Sequence, residues 1–371
     1  MKNNRRVSIY DQFTCTADQC PMTCCQEWKI SVDEDTEKKW QKIDKENGFP
    51  IRLQQEIKVV DETRVIGLNQ EKKCPFLNEK KLCKLVLGLG EAVLSKTCHT
   101  FPRLENQLES GIEYSLTTCC PAVIDLMYQE RKIKIIKESG EEESSDSLFQ
   151  IRENLLIMIQ NQNFSIEKNM MMIFFLLLEK PKNFEKSISK KNLDEMNQVI
   201  EQMNFDQFDT FWERNELVLD LVENYRKQGL YTKYLEPIAG KAEKLEEDCD
   251  ESIILEKVQT FEKIFLSYEN LFRNYLTTEI FANCLTSESD YESIVIAFQW
   301  IALEYVTMKH CIFLMWLNHK ENICYTNVRE IMVVISRVMG YDAEDIREYL
   351  ENSFDHVVWD WGYLALNMGN L

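Results

Sequence analysis

The sequence predicts a mainly α-helical fold: a cysteine-rich amino-terminal region of loops and short elements, followed by a helical carboxy-terminal domain. In 371 residues there are only 11 Gly and 7 Pro, too few for strands joined by frequent turns, whereas Leu, Glu, Lys, Ile and Met favour helix. Nine of the 13 cysteines lie between Cys15 and Cys120, so the first third has a chemistry of its own. A chain of this length usually forms two domains.

A charged, Ser-rich stretch at residues 138–147 predicts the domain boundary. It contains almost no side chain that a core would bury, which is typical of a linker. We therefore assign residues 1–137 to the cysteine-rich domain and residues 148–371 to the helical domain.

Helical periodicity dominates the second domain. Residues 170–178 are apolar on every face, as expected for a central helix of a bundle. Residues 254–276 place apolar side chains three and four positions apart, which predicts one long amphipathic helix. Asn327 is the expected N-cap of a further helix that Gly340 ends.

Charge and hydropathy favour a cytoplasmic protein that binds neither nucleic acid nor membrane. The formal net charge is −19, whereas a protein that binds phosphate backbones needs a basic face. No apolar stretch of signal-peptide length follows the basic residues 2–6. The apolar residues 294–317 include Glu304, Lys309 and His310, which are costly in lipid and acceptable in a buried helix with polar partners.

The cysteine spacing indicates a metal centre. Four thiols, Cys15, Cys20, Cys24 and Cys25, lie within eleven residues, and thiolates suit zinc, copper(I) and iron–sulfur clusters. No pair has the Cys-x2-Cys spacing usual in structural zinc sites, which favours iron–sulfur over zinc. Disulfides are the third interpretation. They are typical of small secreted domains rather than of a chain this long without a signal peptide.

These motifs, in this order, resemble the FliB-type flagellin lysine-N-methylase family, whose amino-terminal region is described as zinc- or iron-chelating. Looser similarity continues through residues 148–152 and 268–275. The matching residues are Tyr10-Asp-x-Phe13-x-Cys15, Cys20, Cys24-Cys25-x-x-Trp28, Cys74-Pro-Phe-Leu77, Cys83, Cys98-x-x-x-Pro102-Arg103 and Ser115-Leu116-x-x-x-Cys120-Pro121.

The resemblance implies methylation of flagellin lysines with S-adenosyl-L-methionine (SAM) as donor, and an iron–sulfur cluster, expected to be 4Fe–4S, with zinc as the second choice of metal. Clustering, Pro-flanked loops and the resemblance together predict four ligands per centre, in one centre or two. Cys119 is one thiol more than the family pattern contains and is left out, and His99 has no assigned role. The predicted ligands are Cys15, Cys20, Cys24, Cys25, Cys74, Cys83, Cys98 and Cys120.

Two other functions remain open. One is a zinc- or iron-binding or redox-sensing protein without catalysis, and the other is an interaction scaffold formed by the helical domain. If the chain is an enzyme, its partner is flagellin or another protein that presents lysine, and the helical domain is expected to bind substrate or SAM. No catalytic base or SAM site is assigned. Polar candidates by position are Glu269, Asn270, Arg273, Asn274 and Tyr275, which a charged helix face also explains.

Overall fold

Helices make up most of the protein, which confirms the predicted mainly α class. The computed structural model describes residues 4–46, 49–60, 63–138, 146–181, 183–203 and 205–369, and the following account concerns those residues. Most of the predicted linker, residues 139–145, lies outside them. The division into two domains at that linker therefore stays a prediction.

A small mixed sheet joins the two ends of the cysteine-rich region. Its order is β4-β5-β1-β6, with β1 parallel to β5 and antiparallel to β6. In register, Arg5 lies beside Glu113 of β5 and Lys137 of β6. A separate hairpin pairs β2 with β3. The strands are β1 (Arg5–Val7), β2 (Ile57–Val60), β3 (Thr63–Ile66), β4 (Arg103–Leu108), β5 (Gly111–Leu116) and β6 (Ile135–Lys137).

Between β1 and β4 the chain builds a small hydrophobic core of its own. Trp40 is fully buried there, packs edge-on against Phe76 with ring centroids 5.5 Å apart, and donates its indole N–H to the carbonyl of Val93 at 2.7 Å. That hydrogen bond satisfies the polar atom of a large buried side chain. The helices of the cysteine-rich region are α1 (Glu34–Lys45), α2 (Lys84–Leu89), α3 (Lys96–Thr100) and α4 (Pro121–Gln129).

The helical domain surrounds one long central helix, α13. As predicted for residues 294–317, this helix is buried, and Lys309 on it forms ion pairs with Glu167 at 2.8 Å and Glu262 at 2.9 Å. No helix in the described ranges has the length and hydrophobicity needed to cross a bilayer. The helices are α5 (Ser147–Ile159), α6 (Ile166–Glu179), α7 (Phe184–Ser187), α8 (Lys190–Gln202), α9 (Gln207–Arg226), α10 (Thr232–Glu247), α11 (Glu251–Phe265), α12 (Glu269–Asn283), α13 (Tyr291–Asn318), α14 (Tyr325–Met339), α15 (Ala343–Phe354) and α16 (Trp361–Met368).

Extensive contacts join the regions on either side of the predicted linker. The main hydrophobic core includes Val7, Leu116 and Val123 together with side chains of the helical domain. Arg5 and the fully buried Arg152 both bind Glu113, so an ion-pair network also links β1 and β5 to α5. The sheet is therefore part of the surface on which the helices pack.

Two details of the helices differ from expectation. Residues 254–276 form two helices, α11 and α12, because a short 3-10 turn from Leu266 to Tyr268 interrupts the predicted single helix. The N-cap of α14 is Cys324, and Asn327 lies in the first turn, where its side chain accepts the Cys324 amide at 3.2 Å. Gly340 ends that helix as predicted.

Candidate metal centre and adjoining cleft

Five separate stretches of chain bring most of the predicted ligands to one place. Cys20, Cys24 and Cys25 lie on the loop after β1, and the Cys74 amide donates to the Cys25 carbonyl at 2.8 Å, which holds the two loops side by side. Cys83 precedes α2, Cys98 lies in α3, and Cys120 is the N-cap of α4. Short helices and two isolated β-bridges, Gln26 with Lys73 and Leu77 with Cys83, thus present thiols that are far apart in sequence.

The thiols lie close enough to perturb one another's ionisation. Cys24 and Cys25 affect each other's pKa, and Cys74 affects that of Cys25. Cys24 and Cys83 lie within electrostatic range of Cys98, and Cys20 and Cys24 lie within electrostatic range of Cys120. Seven of the eight predicted ligands therefore belong to one neighbourhood, which spacing alone did not establish.

The seven thiols border two different cores. Cys25, Cys74, Cys83 and Cys98 pack against the small core around Trp40, as the hydrophobic contacts there show. Cys120 belongs to the main core, and Cys20 and Cys24 lie within electrostatic range of Cys120. Cys24 also lies within range of Cys98, so the thiols form one continuous group between the two cores.

Cys15 and His99 differ from this set. Cys15 is exposed, with its sulfur accepting the Ala17 amide at 3.4 Å, and His99 is exposed on α3. The extra thiol, Cys119, donates to the Ser336 carbonyl at 3.4 Å and so points towards α14. That contact gives Cys119 a structural role apart from the other thiols.

Burial disfavours the charged thiolate form of these cysteines. It raises the pKa of Cys98 to about 11 and that of Cys120 to about 12. A bound cation reverses this preference, because metal coordination deprotonates a thiol and neutralises its charge. No three Cys, His, Asp or Glu side chains in the described ranges already have the arrangement of a metal site. The donor set, soft and convergent, fits a thiolate-bound metal, and the eight-ligand assignment stays a prediction.

A cleft of about 440 Å³ opens beside this group of thiols. Its walls come from four parts of the chain: the cysteine loop with Cys20 and Glu27, the turns at residues 69–81, the start of α10 with Tyr231 and Tyr234, and Arg337 of α14. Small-molecule sites in proteins usually have volumes of roughly 300–1,000 Å³. The size and the position therefore suit a ligand-binding site.

Arg337 of α14 forms the inner wall of the cleft and ties its parts together. Its guanidinium donates to the Met22 carbonyl at 2.8 Å and to the Cys119 carbonyl at 2.9 Å, and it lies 5.2 Å from the centroid of the Trp28 ring. The two carbonyls and the Trp28 ring thus contact the largely buried guanidinium from three sides. Arg337 thus fixes the cysteine loop against the helical domain.

Behind Arg337 lies a buried pair of carboxyl groups that sequence reasoning did not identify as a site. Glu279 accepts hydrogen bonds from Thr118 at 2.8 Å and Asn283 at 2.7 Å, and Tyr341 donates to Glu304. Burial raises the pKa of both carboxyls, and the proximity of Glu304 raises that of Glu279 further. The only sequence signal was Glu304, a charge within an otherwise apolar segment.

We expect Glu279→Gln to gain stability over the wild type as the pH rises. The folded protein retains a proton that the unfolded chain releases above a pKa of about 4.5, so wild-type stability falls between that value and the raised folded pKa. The slope for one proton is at most about 1.4 kcal/mol per pH unit. Denaturant unfolding at about pH 5 and about pH 8 measures the difference. Glu288→Gln, at an exposed position, is the control, and equal pH dependence in all three proteins would contradict the prediction.

Three of the five polar candidates on α12, Glu269, Arg273 and Asn274, have structural partners. Arg273 donates to Glu269 and to the carbonyls of Ile159 and Phe164, which closes the end of α5. Asn274 donates to the carbonyls of Met127 and Glu130 at the end of α4. The contacts of Arg273 and Asn274 thus position helices.

Comparison with known proteins finds similarity in both parts of the chain. A family model described as the FliB lysine N-methylase C-terminal domain matches residues 152–367. The flagellar biosynthetic protein FliU of Salmonella muenchen is 28% identical over 124 residues, covering 30% of this chain and 68% of that protein. A lysine-N-methylase of Salmonella typhimurium is 28% identical over 125 residues, covering 30% of this chain and 29% of the relative. The alignment thus spans less than a third of that methylase, and no solved structure matches.

The fold and the site define a mainly helical protein with a cysteine-rich centre packed against its helical domain. The family model covers more than half of the chain. The protein therefore belongs to the FliB lysine N-methylase family, and the resemblance seen in the sequence is confirmed.

Proposed function

We propose that the protein is a SAM-dependent protein-lysine N-methyltransferase that acts on a flagellar protein, with flagellin as the expected substrate. The observation that carries this proposal is the match of a lysine N-methylase model to residues 152–367, which form the helical domain. The cysteine motifs of the first domain do not by themselves indicate methyl transfer. The name of the FliU relative supports the flagellar substrate class.

The reaction makes simple demands on the protein. The lone pair of a neutral lysine amine attacks the methyl carbon of the sulfonium, the carbon–sulfur bond breaks, and its electron pair remains on the sulfur of S-adenosylhomocysteine. The methylated amine then gives up one proton to solvent. The protein must align the two molecules and exclude competing water. A cleft between rigid elements can align the two molecules.

An iron–sulfur cluster, or zinc in second place, belongs to the same proposal. The ligands would be the eight predicted cysteines, of which seven lie in one neighbourhood. When bound, such a centre neutralises the buried thiolates and stabilises loops that have few other fixed contacts. The alternative of a non-catalytic metal or redox protein draws on the same thiols, so only an assay of methyl transfer separates the two.

The direct test is methylation of a candidate flagellin. Metal-loaded protein, flagellin and SAM should give lysine residues heavier by one or more methyl groups in mass spectrometry of digested flagellin, with S-adenosylhomocysteine as the second product. Omitting SAM is the first control, and a flagellin with acetylated lysines is the second. SAM binding without any methylated protein would favour a different substrate, and no SAM binding would overturn the proposed activity.

A further inference from the structure

The cleft beside the thiols has a mixed charge pattern. Lys81 and Lys233 are exposed ammonium groups at its rim, whereas Glu27 and Glu79 are carboxylates in the same lining. Glu71, also in the lining, is paired with Lys73 at 2.7 Å. The glutamates would repel a purely anionic ligand, and the lysines would repel a purely cationic one. The pattern favours a ligand that carries both charges.

Aromatic surface is present on the helical side of the cleft. Tyr234 is half-buried in the first turn of α10, with the Lys233 ammonium 5.0 Å from Tyr234's own ring centroid. Tyr231 is nearly fully buried and lies against Arg337. A half-exposed tyrosine ring offers a face on which a planar heterocycle can stack.

The backbone around the cleft is held in unusual conformations. Glu27, Lys81 and Tyr231, all in the lining, have positive φ angles of 58°, 58° and 53°. Such conformations are disfavoured for side chains with a Cβ and concentrate at binding and catalytic sites. The Tyr231 amide donates to the Glu27 carboxylate at 3.1 Å, so two of these residues support one another across the cleft.

The first turn of α10 adds a preference for negative charge at one end. Tyr231 is its N-cap residue and provides no side-chain cap, and the Tyr234 amide donates to the Tyr231 carbonyl at 2.8 Å. The positive end of a 16-residue helix stabilises a nearby carboxylate. Lys233 at the same end adds a full positive charge.

We propose that this cleft is the binding site of SAM, an inference that rests on the proposed function and adds its location. Tyr234 stacks on the adenine, Lys233 and the first turn of α10 bind the carboxylate of the methionine part, and Glu27 faces its cationic groups. SAM combines a planar base, a carboxylate, an ammonium and a sulfonium, and the cleft of about 440 Å³ offers a matching feature for each.

The test measures binding, not activity. Isothermal titration of metal-loaded protein with S-adenosylhomocysteine and with SAM should show affinity about tenfold weaker or more in Tyr234→Ala, because base stacking on an aromatic ring is typically worth about 1–3 kcal/mol. Tyr234→Phe, which keeps the ring, should bind within about twofold of the wild type. Lys233→Ala should weaken binding about tenfold.

Lys244→Ala is the matched control, because Lys244 is an exposed lysine on the same helix and outside the cleft lining. It should bind as the wild type does. Hydrogen exchange of the unmodified protein provides a measurement that no folding defect can affect: S-adenosylhomocysteine should protect residues 20–27, 69–81 and 231–235. Wild-type binding with unchanged affinity in Tyr234→Ala and Lys233→Ala, or protection confined to other segments, would overturn the location and leave the proposed function standing. Absence of binding to the wild type would overturn both.

Discussion

Cys24→Ala protein purified without oxygen is expected to lose most of its iron and sulfide, its brown colour and its methylation activity. Cys24 lies centrally in the group: its ionisation is coupled to that of Cys25, and it lies within electrostatic range of Cys20, Cys98 and Cys120. Removing it would deprive one proposed centre of a ligand. Iron and sulfide analysis and the visible absorption spectrum measure the loss.

Cys249→Ala is the matched control, since Cys249 is a partly buried thiol in the helical domain, remote in sequence from the group. It should retain colour and metal. Wild-type protein that is colourless and carries stoichiometric zinc would contradict the iron assignment and leave the ligand set in place. Wild-type protein with oxidised disulfides and no metal would contradict both.

Glu113→Ala is expected to cost about 3–5 kcal/mol of unfolding free energy, because it leaves buried arginines without their counter-charge. Glu113 is 3% exposed and binds Arg5 at 3.2 Å as well as Arg152, which is fully buried. Glu153 contacts both arginines from a more exposed position and compensates only in part. Chemical unfolding followed by circular dichroism measures the change.

A surface pair provides the comparison for this prediction. Lys191 and Glu195 are 83% and 62% exposed and 3.7 Å apart on α8. Glu195→Ala should change the unfolding free energy by only about 0.5 kcal/mol or less. A loss below about 1 kcal/mol in Glu113→Ala would show that water reaches the two arginines, and that the network does not join β5 to α5 in the way we describe.

Helix class and helix location were predictable because they depend on local periodicity. The buried segment at residues 294–317 was recognised from its apolar length and its few charges, and α13 contains it. The interruption between α11 and α12 was not, since residues 266–268 continue the same apolar spacing while the backbone tightens into a 3-10 turn. Periodicity reports which face is buried and is insensitive to such a change in the hydrogen-bond pattern.

Seven of the eight predicted ligands lie near one another, whereas Cys15 does not, and the arrangement of the seven was not predictable. Residue type identified the thiols, whereas the division between two cores depends on how β1, α3 and α4 pack. The cleft was invisible in the sequence, because Cys20, Tyr234 and Arg337 are separated by more than a hundred residues at each step. A tyrosine near the start of a helix or an arginine near the end of one has no local signature of binding.

The order of strands in the small sheet has a consequence for how the protein is made. β1 is synthesised first, yet its two partners in the sheet, β5 and β6, end only at residues 116 and 137. On the ribosome β1 therefore remains unpaired while more than a hundred further residues are translated. During that interval the thiols of the loop that follows β1 are exposed to oxidation. On the proposed metal assignment, we expect the yield of active protein in the cell to depend on the timing of metal insertion relative to translation.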